Sequence, residues 1–146
     1  MIKLLDILLE NYFAPLYHAT SYSGFISIIK DNKIKPGHDG KVSLTRNKNY
    51  KVGGNLTPII FVINQNKVRE KYKIYPTYAC GRMECEEFIK NFLPLEYVTK
   101  ILVPEKLINK IKQTKNLNNI LHNPKIEIIN NDDAIIDTDL YEDINS

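Results

Sequence analysis

The apolar positions of this chain change period several times, and each change marks an element. Ile2, Leu5 and Leu9, with Leu4 and Leu8, recur at helical spacing and predict an amphipathic helix that fades at Asn11. Asp6 interrupts that run and no small-residue cleavage site follows it, so the segment reads as a helix and not as a signal peptide. Residues 14–18 predict a short strand, with Pro15 near its start, where no ladder donor is lost. Ser21 or Ser23 can cap a helix that turns Phe25, Ile28 and Ile29 inward and stops before Pro36-Gly37. Residues 38–40 form a turn, and Val42-Ser43-Leu44-Thr45 alternates as a strand should.

Residues 47–57 hold Gly53-Gly54, three asparagines and two lysines, and predict a mobile loop. Residues 58–64 carry the strongest strand signal, a β-branched run bounded by turn formers. One or two helical turns follow over 65–71, then an alternating segment over 72–75 and an irregular one over 77–83. Residues 86–89 and 98–103 read as strands separated by 91–95. Leu107, Ile108, Ile111 and Leu117 predict a helix over 105–121, and residues 125–129 a last strand. There are no repeats. Short strands with helices at their edges argue for an α+β fold over an alternating parallel-sheet one.

With 146 residues, 43% of them hydrophobic and 25% charged, the chain suits one globular domain. That domain is expected over residues 1–131. The remaining residues, 132–146, form a tail with six acids (Asp132, Asp133, Asp137, Asp139, Glu142 and Asp143) and no lysine or arginine. The net charge of +3 is therefore uneven: residues 1–131 hold 20 basic against 11 acidic side chains, about +9. A basic body suits an anionic ligand, either a dinucleotide or a nucleic acid, although a solvated lysine-rich surface has the same composition. No run approaches the roughly 20 apolar residues that span a bilayer, so no membrane association is expected. Cys80 and Cys85 are too few for a disulfide framework and lack partners for a zinc site. Reduced thiols, a cytoplasmic location and no metal are expected.

Three short motifs can carry chemistry. His18 is followed by Ala19 and Thr20 at the end of a strand and before a helix, where it can hydrogen-bond a ligand ribose. Ser43 and Thr45 share one strand face, with Arg46 at the strand end. Met83-Glu84-Cys85-Glu86-Glu87-Phe88-Ile89 places glutamates at the start of a strand, where a carboxylate can stabilise developing positive charge. Each has a plainer alternative: a capping histidine, a half-exposed strand, an exposed acidic turn.

Taken in order, these motifs resemble the ADP-ribosyltransferase fold over roughly residues 15–103. The resemblance implies a split antiparallel β-sandwich with flanking helices, using NAD as co-substrate. It implies that His18 contacts the nicotinamide ribose, that the backbone at Ala19 binds the carboxamide, and that Thr20 closes the pocket or caps the helix. Ser43 and Thr45 would support the site, Arg46 would meet the diphosphate, and Tyr50 could stack on nicotinamide. Glu87 matches the catalytic glutamate of DNA-targeting members, because Phe88-Ile89 continues the strand directly. Glu84-x-Glu86 mimics the paired glutamates of arginine-modifying members instead.

No full His-Tyr-Glu or Arg-Ser-Glu set is present, and no arginine precedes the His strand. Small proteins of this pattern look like bacteriophage accessory proteins. The expected function is mono-ADP-ribosyl transfer, or NAD hydrolysis, directed at a protein or nucleic acid of a bacterial host. The alternative is a non-catalytic nucleotide- or protein-binding anti-defence protein on the same fold. RNA 2′-phosphotransfer would need a second histidine and paired arginines, and only His38 and Arg46 lie near in sequence. Neither a helix-turn-helix nor an aromatic stacking platform is legible, so nucleic acid is supported by charge alone.

Overall fold

A computed structural model describes residues 14–46, 59–76 and 87–130 of the chain. The expected N-terminal helix, the 47–57 loop with Tyr50, the 77–83 segment, both cysteines, Glu84, Glu86 and the acidic tail lie outside the described residues. Within them the fold is mixed α+β.

Strand β1 (Leu16–Thr20) starts directly after Pro15 and runs two residues further than its sequence suggests. The reason is its partner. Antiparallel pairing with β4 (Ile59–Ile63) extends from Leu16↔Ile63 to Thr20↔Ile59, so Ala19 and Thr20 belong to the ladder. Helix α1 (Tyr22–Asp31) follows at once, its N-cap being Ser21, whose hydroxyl accepts the Gly24 N–H at 3.2 Å. Gly24 is a packing requirement here: a Cβ at that position would lie 2.0 Å from Thr20 Oγ1. Phe25 and Ile28 bury against the sheet, and Asn32, left-handed at φ 57°, ends the helix.

β4 is the middle of the molecule. It lies between β1 and β8 (Val98–Pro104), with Ile59, Phe61 and Ile63 fully buried and Ile60 on the reverse face only 7% exposed. Cover on both faces explains why its sequence is a continuous apolar run and not an alternating one. β9 (Ile126–Ile129) adds to β8 in parallel and completes the order β1-β4-β8-β9. The edge of this sheet is therefore parallel, a departure from a wholly antiparallel expectation, and the chain makes the crossover a parallel pair needs. The crossover contains helix α3 (Ile108–Gln113) between two 3-10 turns, Glu105–Leu107 and Asn118–His122. The expected continuous helix over 105–121 breaks because Thr114 is extended and Asn116 is left-handed at φ 69°.

A second sheet has the order β3-β6-β5, from Val42–Leu44, Glu87–Ile89 and Tyr75–Pro76, all antiparallel. A third is a two-residue pairing of β2 (Lys33–Ile34) with β7 (Leu93–Pro94). Helix α2 (Gln65–Arg69) follows β4, capped by Asn64, whose side chain accepts the Lys67 N–H at 3.1 Å. Among the described residues an isolated backbone bridge links the first and second sheets. Tyr17 and Thr45 exchange both backbone N–H···O bonds at 2.8 Å, and from there β1 and β3 diverge. That divergence opens a cleft.

Candidate functional site

His18 stands where the two sheets separate. Its Nδ1 lies 2.8 Å from the Ser43 carbonyl oxygen, which can only accept, so Nδ1 carries the proton and donates. The bond ties β1 to β3 beyond the Tyr17–Thr45 bridge, one residue along β1 and two along β3, and holds the ring in the wall of a cleft of about 260 Å³. His18, Ala19, Ser43 and Thr45 all line that cleft, together with Lys35, Lys41 and Asp39. Its volume falls just below the roughly 300–1,000 Å³ of drug-sized sites, so it can enclose part of a dinucleotide while the rest lies outside. Lys35 and Lys41 stand at its rim with Asp39, and Lys35 is itself paired with Asp31 at 3.0 Å, so two ammonium groups face two carboxylates there. Thr20 is 9% exposed at the far end of β1, packed against Gly24, and does not line the cleft.

Glu87 and Arg46 form a second cluster. Arg46 donates through Nε at 3.0 Å to Glu87 Oε1, and its Nη2 lies 2.9 Å from the same oxygen. Glu87 Oε2 is buried without a hydrogen bond, with Nη2 of Arg69 3.8 Å away. Gln65, fully buried at the start of α2, organises the arginines: its Oε1 accepts from Arg46 Nη2 at 3.2 Å and from Arg69 Nε at 2.8 Å. Its Nε2 donates to the Ala14 carbonyl at 2.7 Å. Gln65 and Arg69 are four apart on one helix, which is why one side chain can reach the other.

The strand register separates Glu87 from the Ser43 and Thr45 side chains but not from His18, which pairs with the buried Phe61 of β4. Leu44 pairs with Glu87, and Ser43 with Phe88. Directly paired residues share a face, so Glu87 and Arg46 lie on the Leu44 face and Ser43 on the opposite one. Of the sequence-predicted site residues, His18, Ala19, Ser43 and Thr45 are brought together in the cleft, whereas Glu87 is not among its lining residues. Arg46, expected to meet a diphosphate, instead engages Glu87. Sequence reasoning missed Gln65 and Arg69. The available signal was their i,i+4 spacing directly after an apolar strand.

Among the described residues no group of three or more His, Cys, Asp or Glu is placed to hold a metal ion. Nor is any helix among them long and apolar enough to cross a membrane.

No protein-family model matches the chain, and no curated protein matches it. Among solved structures it is similar to protein CC0527 from Caulobacter crescentus. The identity is 11% and the TM-score 0.46, with 60% of this chain and 82% of that one covered. A double-methionine variant of the same protein gives the same values. A likeness of that size decides neither fold family nor activity.

Proposed function

We propose that this protein binds NAD through its nicotinamide–ribose end in the cleft between β1 and β3, on a fold of the ADP-ribosyltransferase type. We further propose that it transfers ADP-ribose to a macromolecule. The observation that carries the reading is the His18 Nδ1–Ser43 carbonyl bond at the point where the two sheets part. It supports a ring fixed by the fold against the cleft wall, where a bound ribose would lie beside it. Ser43 and Thr45 line the same cleft, and Lys41 can meet the diphosphate, with Lys35 joining it only by leaving Asp31.

Glu87 would supply the carboxylate opposite the ribose, and to do so it must leave Arg46. The same ion pair favours a second reading, a nucleotide binder without turnover, because a carboxylate held by a guanidinium has little charge to offer a reaction centre. Titration calorimetry with NAD and with ADP-ribose, run beside a nicotinamide-release assay, separates the two. Binding with release supports transfer or hydrolysis, and binding without release supports the binder. Absence of binding by either ligand removes both.

A further inference from the structure

The three-stranded sheet has a second face with a different composition. Val42, Leu44 and Ile89 on one face are buried in the core, so the other face, carrying Ser43, Phe88 and Tyr75, points away from it. Tyr75 and Phe88 are direct cross-strand partners, half-buried, their rings stacked with centroids 5.2 Å apart and planes at 14°. Three ammonium groups surround the pair. Lys41 lies 4.5 Å from the Phe88 ring centroid, and Lys90 and Lys73 lie 4.6 and 4.8 Å from that of Tyr75. Among the described residues no salt bridge engages these three lysines, and the acid on β6, Glu87, is on the other face with Arg46.

We propose that this face binds single-stranded nucleic acid, with bases stacking on Tyr75 and Phe88 and phosphates meeting Lys41, Lys73 and Lys90. An acidic peptide would need the charge but not the flat aromatic pair, whereas splayed bases use both. A duplex would keep its bases stacked on each other and leave the rings unused. The lysines do not block the rings. A base stacked on an aromatic side chain is worth more than an exposed cation–π contact, and a displaced ammonium group on its flexible stem moves to a phosphate. The platform also adjoins the nucleotide cleft, since Lys41 and Ser43 belong to both. As a binding surface it stands by itself; as the place where an acceptor strand is presented to NAD it rests on the function proposed above.

The test is fluorescence anisotropy of the full chain with labelled dT12 and rU12 oligonucleotides across a salt series, with NAD calorimetry on the same preparations. Three phosphate contacts give a log–log salt slope of about −2, and Lys73→Gln lowers its magnitude by about 0.7. Tyr75→Leu and Phe88→Leu each weaken binding about 5- to 150-fold, with circular dichroism verifying the fold. Lys112→Gln, on the exposed side of α3, leaves affinity unchanged. The Lys73→Gln/Lys90→Gln double variant, which leaves both rings in place, weakens binding even where a ring variant does not fold. No oligonucleotide binding at low salt overturns the proposal. So does binding that the folded ring variants retain in full, or polyglutamate binding as tightly as the oligonucleotides. NAD binding that persists while oligonucleotide binding fails removes this surface and leaves the cleft reading in place.

Discussion

Replacing Glu87 by glutamine removes one negative charge from a site that holds two arginines. The geometry sets the size of the effect. Arg46 directs both Nε and Nη2 to Oε1, at 3.0 and 2.9 Å, so one carboxylate oxygen carries the pair. The other, Oε2, is buried without a hydrogen bond and 3.8 Å from Arg69. A glutamine can keep its own Oε1 within reach of Arg46, but as a neutral acceptor, while its amide faces a second guanidinium. Hydrogen bonds to charged groups contribute roughly 1.5–3 kcal/mol and neutral ones roughly 0.5–1.5 kcal/mol, so the substitution costs about 1–2 kcal/mol. Side-chain exposures of 32% for Arg46 and 18% for Glu87 admit some screening and favour the lower half of that range. For a domain of this size the loss is about 2–8 °C in melting temperature. A urea-unfolding double-mutant cycle with Arg46→Met isolates the pair, and a coupling of about 1 kcal/mol is expected. Coupling within the roughly 0.3–0.5 kcal/mol typical of independent sites would mean that the pair does not stabilise the fold. Catalysis is read separately: if Glu87 acts on the ribose, Glu87→Gln also lowers nicotinamide release about a hundred- to a thousandfold.

Gly24→Ala places a methyl group 2.0 Å from Thr20 Oγ1 and is expected to destabilise by about 1–2 kcal/mol, the overpacking outweighing the better helix propensity of alanine. Thr20→Ala in that background should recover at least half of the loss in thermal denaturation, and a Gly24→Ala protein as stable as the parent would contradict the packing. His18→Phe deletes the donor to the Ser43 carbonyl, so the Thr45 amide, bonded to Tyr17, should exchange with deuterium about two- to tenfold faster; unchanged exchange would mean that the bond does not hold the strands together. Asp31 is held below its ordinary carboxyl pKa chiefly by its hydrogen bond with Lys35, 3.0 Å away. Because the folded value is the lower one, its contribution to stability is present above the unfolded pKa and is lost as pH falls through the folded one. Carbon-13 NMR titration should show the Asp31 carboxyl moving up in Lys35→Gln; an unmoved midpoint would assign the shift elsewhere.

The elements that were legible are those whose own residues decide them. β4 announces itself because burial on both faces demands an unbroken apolar run, and α1 because Ser21, Phe25, Ile28 and the Pro36-Gly37 stop all agree. β2 and β7 are two residues each and have no period to detect. The helix expected over 105–121 ends at Gln113, where Thr114 turns extended and Asn116 left-handed, conformations that apolar spacing does not register. In the site, His18, Ser43 and Thr45 were found as separate motifs, and only the Tyr17–Thr45 bridge brings them together. Arg46 and Glu87 were also found singly. Their pairing spans 41 positions and depends on the Leu44↔Glu87 register, which no local pattern encodes. The aromatic platform went unseen for the same reason, since Tyr75 and Phe88 meet only through the β5–β6 ladder.

Whether the cleft at the parting of the two sheets is a nucleotide site is decided by an amide NMR titration of the ¹⁵N-labelled chain with NAD. A nucleotide site gives saturable shifts concentrated on His18, Ala19, Lys35, Lys41, Ser43 and Thr45, with the same perturbation lost in His18→Phe. No shifts at millimolar NAD, or shifts confined to the β8–β9 edge, would contradict it.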